Sequence, residues 1–363
     1  MKTFNSIKNN KTLFNNLVTY ALIIAAYILC TIFSSAGLMS NSTKGLLIQF
    51  CYYVIMAVSL NLTVGILGEL SLGHAGFMCV GAFTSAIIMK LAGGVIQNGV
   101  LMFIVCVLAG AAVAAVFGFI IGIPVLRLKG DYLAIVTLAF GEIIKNVVSA
   151  VYFGIDSNGI HVSLKDAADL GLLPDGKIII NGPQGINGLS SGIGFTAGVI
   201  MVIITLIVVL NLVNSRTGRA VMAIRDNRIA AEASGINITK YKMTAFVISA
   251  SLAGVAGVLY TNSLPTLAAT SKNFGYNMSI MILVYVVLGG IGNIRGSIIA
   301  TIILVLLPEK LRFVNSYRML IYAIVLIVMM LFNWAPAARD FRARYSLKNL
   351  IAKKHAKEEP DNE

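Results

Sequence analysis

Long apolar runs, separated by short polar or glycine-rich stretches, set the pattern of this chain. Runs near Leu17–Met39, Leu46–Leu67, Leu72–Leu91, Val100–Ile123, Tyr132–Phe153, Gly194–Val213 and Met243–Leu264 each suit the roughly 20 residues that an α-helix needs to cross a ~30 Å hydrocarbon core. Only structures that satisfy their own backbone N–H and C=O groups survive in lipid, so runs of this length predict helices. The next run, Tyr276–Leu307, is too long for one ordinary span and is broken by GGIGNIRG (Gly289–Gly296). Two shorter spans there, followed by Leu320–Trp334, give ten crossings with both termini on one side. The expected fold is an all-α polytopic membrane protein of about ten transmembrane helices with broken or re-entrant segments. Residues 1–16 form a tail, 17–334 the membrane domain and 335–363 a second tail.

Charge orients the bundle. The chain is 58% hydrophobic and 12% charged, and its formal net charge of +13 is unevenly placed. Basic residues gather in the N-terminal tail (Lys2, Lys8, Lys11), in the stretch 214–242, and in the C-terminal tail from Arg339 to Lys357. A Lys/Arg excess marks cytoplasmic segments, which puts both tails, the turn Arg127–Asp131 and the 214–242 loop inside. The longest loop, 154–193, then lies outside; it carries Asp156, Asp166, Asp169 and Asp175 against Lys165 and Lys177. This distribution suits an anionic leaflet and builds no groove for nucleic acid. The N-terminus shows no small-residue cleavage site after a short apolar core, so its first run reads as a retained helix. Cys30, Cys51, Cys79 and Cys106 have no paired spacing, and His74, His161 and His355 are scattered. Neither a disulfide nor a metal site nor a cofactor is expected.

The stretch NSRTGRAVMAIRDNRIAAEASGINITKYK (Asn214–Lys242) carries Arg216, Arg219, Arg225, Arg228, Lys240 and Lys242 against Asp226 and Glu232. Each central Arg or Lys would cost roughly 2.5–3.5 kcal/mol in the bilayer, so the stretch is a soluble loop. Asp226 or Asn227 can cap a short helix, Arg228–Ser234, which Gly235 can end in the left-handed conformation. Arg228 and Glu232 are one turn apart and can pair. Ile229, Ala230 and Ala233 form a compact apolar face. Such a helix suits docking into a groove on a soluble partner; it also suits an ordinary positive-inside loop that touches nothing.

Three further groups could carry chemistry. The break NLTVGILGELSLGHAGF (Asn61–Phe77) sets Asn61, Glu69, Ser71, Gly73 and His74 among glycines and apolar neighbours. Irregular backbone and ionisable groups at membrane depth persist only where protein or a watery cavity satisfies them, so this is either a discontinuous element on a solute path or a tight turn. Glu142 falls near mid-membrane with Lys145 one turn on. It either pairs with that lysine structurally or contacts solute or a helix end. The outer run NGPQGINGLSSG, with Gly182, Pro183, Gln184, Gly185 and Asn187, specifies successive turns that could seat a soluble protein, cover an outer gate or simply connect.

Small residues one turn apart (Gly110, Ala114, Gly118, Gly122; Ser249, Ala253, Gly257) predict close helix packing. The breaks GILGELSLG and GGIGNIRG echo each other, as paired breaks do in repeat-built transporters. No G-x-x-x-x-G-K-[ST] phosphate loop occurs, and no nucleophile–base spacing. Uphill transport would draw its energy through another subunit.

With these residues laid out, the chain resembles the branched-chain amino acid permease family of ABC importers, and within it the larger permease subunit. The matching segments are NLTVGILGELSLGHAGFMCVGAF, LRLKGDYLAIVTLAFGEIIKNV, NGPQGINGL, GRAVMAIRDNRIAAEASGINITKYKMTAFVISASLAGVAGVLY and VVLGGIGNIRGSIIATIILVLLPEKLR, running from about Asn61 to Arg312. The resemblance implies a subunit that is not itself an enzyme, in the cytoplasmic membrane of a bacterium. Its implied partners are membrane lipid, a second homologous permease subunit, two ATP-binding cassette ATPase subunits that bind the ATP, and an extracytoplasmic binding protein. Residues 214–242 would be the coupling loop. Ala230, Ala231 and Gly235 match the E-A-A, three residues, Gly pattern, while Ile229 replaces the Glu. Arg219, Arg225, Asp226, Arg228 and Glu232 remain as its polar contacts. Permeases of this pattern also serve urea and short amides, and a self-sufficient secondary transporter or channel is the rival from another class.

Overall fold

The computed structural model describes residues 11–36, 41–94, 96–128, 130–174, 176–189 and 194–310, together with 320, 323–324 and 327–328. Helices account for most of them. In order they are α1 (Lys11–Ser35), α2 (Asn41–Asn61, continued as a π-helical segment Leu62–Leu67), α3 (His74–Ala92), α4 (Gly99–Val125) and α5 (Asp131–Ala150). Then follow α6 (Phe195–Asn214), α7 (Arg216–Asp226), α8 (Arg228–Ala233), α9 (Ile238–Asn262), α10 (Ser271–Phe274), α11 (Tyr276–Gly289) and α12 (Ile294–Lys310). Seven described helices are long and apolar enough to cross a membrane. The run from Tyr276 divides as expected, into α11 and α12 on either side of the glycine-rich break. Each is shorter than a full span, and most of the expected span Leu320–Trp334 lies outside the described residues.

The residues up to Ile302 form one compact unit. Its centre is α9, whose buried side chains include Phe246, Ser249, Ala253, Gly257 and Leu259. Helix α2 runs antiparallel to it, with Tyr52 edge-on to Tyr260 at one end and the Ser249 hydroxyl on Ser59 O nearer the other. Helix α3 runs parallel to it, from the His74–Ser249 contact to the hydrogen bond from Thr261 Oγ1 to Ala82 O. The small-residue faces account for this closeness. A methyl group at Gly254 would overlap Ala114 and Gly110, and one at Gly257 would overlap Met78 O; Gly118 and Gly122 face Ala250 and Met243. Backbones without side chains between them gain dispersion contacts that lipid tails would otherwise supply. Helix α4 leaves Leu108, Val116, Phe119 and Ile120 exposed, an apolar surface suited to lipid.

Some boundaries differ from the sequence expectation. Helix α5 stops at Ala150, because Val151 is extended and leads into a strand. Residues 152–187 are more than turns. Strands β1 (Tyr152–Asp156), β2 (Gly159–Ser163) and β3 (Lys177–Asn181) make an antiparallel sheet of order β2-β1-β3. A short β4 (Ile186–Asn187) pairs with β5 (Thr266–Leu267). The alternation that marks a strand was masked by glycines and by its position between two longer apolar runs. Helix α9 also begins earlier than expected, at Ile238, because the Asn237 side chain accepts the Lys240 N–H and caps it. Lys240 and Lys242 therefore sit on helix, and most of the 214–242 loop is helical. Beyond Ile302, the rest of α12 and residues 320, 323–324 and 327–328 are helical.

Candidate functional site

The first break is a turn followed by irregular backbone that re-enters the bundle. Helix α2 widens into the π-helical segment 62–67 and ends at Gly68, whose φ of 80° is left-handed. The backbone then turns and runs irregularly back into the bundle, so α3 starts at His74, level with the middle of α9. The buried N-terminus of α3 is supported from two sides. Leu72 N–H donates to Thr137 Oγ1 at 3.0 Å and Ala75 N–H to Ser279 Oγ at 3.1 Å. A methyl group at Gly73 would overlap Thr137 O, and one at Gly76 would press on Gly141, so glycine lets α5 approach.

Proton bookkeeping fixes the tautomer of His74. Ser249 Oγ gives its single hydrogen to Ser59 O and accepts the Thr63 hydroxyl at 2.8 Å. His74 Nε2, at 3.0 Å from the same oxygen, therefore meets a lone pair and carries the proton. Its Nδ1 is left a bare acceptor, buried without a partner, and Ser71 Oγ is likewise buried and unpartnered. Helix N–H groups, a hydroxyl and an imidazole lone pair thus sit at depth inside the bundle. The N–H groups of Leu72 and Ala75 are already taken by Thr137 and Ser279, so the unpartnered groups here are the Nδ1 lone pair and the Ser71 hydroxyl.

Asn61 joins this break to the second one. Its Oδ1 accepts Gly292 N–H at 2.8 Å, and its Nδ2 donates to Ser297 Oγ at 2.8 Å. Gly65 packs so tightly against Gly292 that a methyl group there would overlap both Gly292 N and Asn61 Oδ1. Gly290 and Gly292, with φ of 96° and 81°, shape the turn between α11 and α12. The two glycine-rich echoes in the sequence are therefore in direct contact.

Glu69 belongs to the turn and pairs with Lys242 of α9, both side chains largely buried. Glu142 pairs with Lys145 at 2.5 Å and also accepts Tyr276 N–H at 2.6 Å, so it meets a lysine and a helix end together. Lys145 adds a hydrogen bond to Ser271 Oγ at 3.0 Å. This cluster pins the start of α11 to α5.

In the 214–242 segment, local chemistry sets the helices. Ser215 caps α7 through Gly218 N–H, Asn227 caps α8 through Ala230 N–H, and Gly235 (φ 80°) ends α8. Asn227, and not Asp226, is the cap. Ala231 is buried against Ile224 and Ile238, while Ile229 is 81% exposed and Ala230 and Ala233 are exposed beside it. Arg228 and Glu232 both point into solvent and do not form the expected ion pair: surface pairing gains less than about 1 kcal/mol against the entropy of two long side chains. Arg219 donates to Asn214 O at the end of α6. Arg225 pairs with Asp226 and reaches Gly65 O in the first break at 2.8 Å. The sequence did not give this reach or the Glu69–Lys242 pair; the one signal for the pair was an unmatched acidic residue, Glu69, inside a glycine-rich break.

The turn cluster holds the far end of α9. Gly182, Pro183 and Gln184 form a 3-10 turn closed by Asn181 Nδ2 on Gln184 Oε1, with Gly185 in the left-handed region. Ile186 and Asn187 pair with Leu267 and Thr266, and Leu189 N–H donates to Pro265 O. Beside it, between the end of α3 and the start of α4, lies a cavity of about 270 Å³. Its walls include Met102, Phe103, Ile96 and Leu189, with Lys90, Gln97 and Asn262 as the polar groups.

An apolar helical bundle with seven helices long enough to span, broken at two touching glycine-rich points and bearing a charged helical segment, marks a multi-pass membrane protein. The family model described as the permease component of branched-chain amino acid transport systems matches residues 42–331, and the chain belongs to that family. It is 31% identical, over 87% of this chain and 74% of the relative, to the high-affinity branched-chain amino acid transport system permease protein LivM of Escherichia coli. It is 27% identical, over 80% of this chain and 85% of the relative, to the ribose import permease protein RbsC of Escherichia coli. A probable LivM of Methanocaldococcus jannaschii is 25% identical over 69% of this chain and 76% of the relative. No solved structure matches. The chain is thus a permease component of an ABC transport system and works with other transporter subunits.

Proposed function

We propose that this chain forms part of the pore of an ATP-driven importer of branched-chain or related hydrophobic amino acids, and is not itself an enzyme. A second homologous permease subunit completes the pore. Two ATP-binding cassette subunits dock on residues 214–242 at the cytoplasmic face, and an extracytoplasmic binding protein delivers solute to the side carrying 154–193. Both termini are then cytoplasmic.

The observation that carries this reading is the exposed Ile229–Ala230–Ala233 face of α8, on a helix capped at both ends and anchored from beneath by Ala231. A small apolar face with charged flanks on a capped helix suits a groove on a soluble partner, which supports the docking reading. For the solute, the support is the likeness to LivM over most of the chain and the cavity walls. One ammonium and two amides amid thioether, aromatic and aliphatic side chains suit a small zwitterion with an apolar side chain. Reconstitution tests both parts. The chain with its partner permease, ATPases and binding protein in proteoliposomes is expected to accumulate leucine only when ATP is inside. Uptake by this chain alone under an ion gradient would overturn the importer reading. ATP-driven uptake of ribose or urea in preference to leucine would overturn the solute.

A further inference from the structure

We propose that Arg225 is a positioning residue for transport: a latch that carries movement of the 214–242 segment into the contact between the two membrane breaks. The proposal rests on the importer reading. Its geometry starts from an orphan carbonyl. Gly65 O lies in the last turn before the π-helical segment ends at Leu67, where helix geometry leaves carbonyls without an intrahelical donor. The N–H groups of Gly68 and Glu69 both turn back to Thr63 O, so Gly65 O is left to a donor from outside. Arg225 Nη1 is that donor, at 2.8 Å, and a cation at a helix C-terminus also meets the favourable end of the dipole.

The guanidinium is held on both sides. Its Nε and Nη2 lie 3.0 and 2.9 Å from Asp226 Oδ1, and its aliphatic stem crosses Gly68 so closely that a methyl group at Gly68 would overlap Cγ. The same residue, Gly65, abuts Gly292. One side chain of the charged segment thus grips the residue at which the two breaks touch. π-helical turns are rare and occur often at functional sites, which suits a helix end that moves in the working cycle. A pull on α7 then shifts Gly65 against Gly292, and the two breaks move together. Driving such an element between two states requires a firm contact that differs between them, and a charge-assisted bond to backbone supplies one.

Arg225→Met tests this. Methionine keeps the apolar stem over Gly68 and removes every donor; Arg225→Lys returns a donor and the charge. Each variant is assembled with its partner subunits in proteoliposomes, and ATP hydrolysis and solute uptake are measured on the same vesicles. The expected result for Arg225→Met is uptake per ATP hydrolysed at least about tenfold lower than in the parent chain, with recovery of at least half of the ratio in Arg225→Lys. An unchanged uptake-to-ATP ratio in Arg225→Met would overturn the latch. So would a proportional loss of both activities with lost co-purification, which would make Arg225 an ATPase-docking residue, or loss of the Met variant from the membrane, which would make it a folding residue. Absence of ATP-driven uptake by the parent chain is a separate outcome, which refutes the importer reading and the latch with it.

Discussion

The carboxamide of Asn61 accepts the N–H of Gly292 and donates to Ser297, so one buried side chain ties the end of α2 to the break between α11 and α12. Two residues far apart in sequence are thereby made neighbours at the place where the bundle's regular backbone fails. Leaving a buried polar group without its partner costs about 1–3 kcal/mol, more than an ordinary hydrogen bond contributes. Asn61→Leu is therefore expected to lower the midpoint of thermal unfolding in detergent, while Asn61→Asp, which keeps the acceptor for Gly292, falls between. Equal melting of the parent chain and the Leu variant would show that the tie contributes nothing.

Gly65→Ala has no room for its methyl group, which would overlap Asn61 Oδ1 and Gly292 N. The neighbours are backbone and a doubly bonded amide, so the breaks themselves must separate, at a cost of about 1–3 kcal/mol. Uptake is expected to fall by at least about tenfold in proteoliposomes, with the chain still present in the membrane. Parent-like uptake would mean that the two breaks part freely.

Glu142 and Lys145 form a largely buried pair that also receives Tyr276 N–H. Removing one member of a buried pair costs about 3–5 kcal/mol, and the partial exposure of Glu142 argues for the lower end. Glu142→Gln is expected to reduce membrane abundance, and Glu142→Gln with Lys145→Met to restore much of it, because no charge is then stranded. Normal abundance with lost uptake in the single variant would instead put Glu142 on the solute path.

The exposed face of α8 is expected to be covered in the assembled transporter. Burying an isoleucine contributes about 1.5–3 kcal/mol, and 1.4 kcal/mol is tenfold in affinity. Ile229→Asp should weaken co-purification of the ATPase subunits by about tenfold or more without changing the abundance of the chain itself, and Arg228→Glu should weaken it as well. Retained association in both variants would place the docking contact elsewhere.

Asp156 closes the turn between β1 and β2. Desolvation pushes its carboxyl up, but the N–H groups of Leu173 and Asn158 and the adjacent His161 outweigh it and hold the group below its ordinary range. A carboxyl lowered on folding stabilises the fold above its unfolded pKa of about 3.9, and that contribution is lost as pH falls through the lower folded value. The hydrogen-exchange protection factor across residues 152–163, which divides the intrinsic rate at each pH by the observed one, is therefore expected to stay high at neutral pH and to fall below about pH 4. In Asp156→Asn it should already be lower at pH 7. A flat pH response in that segment would remove the carboxylate from the account.

Much of this molecule was legible in the chain itself. Apolar length gave the seven long helices, though not a count of ten, because lipid offers the backbone no other partner. Asn227 and Gly235 gave the bounds of α8, and the glycine run gave the break between α11 and α12, because capping and left-handed turns are settled by residues within one helical turn. The small-residue stripe of α4 likewise announced its seam with α9, and the stripe through Gly257 the close approach of α9 to α3.

Only the tertiary structure decided what those elements meet. Nothing local links Arg225 to Gly65, Glu69 to Lys242, or Asn61 to Gly292, since each pair joins segments that the sequence lists far apart. The tautomer of His74 depends on three hydroxyl and carbonyl partners drawn from α2 and α9. Strand β4 exists because β5 lies beside it, as a two-residue strand has no stability of its own. Spans, caps and breaks follow from short-range sterics and from the solvent the chain must live in. Pairings across the bundle follow from packing, where a missing methyl group at one position decides which distant polar group can reach it.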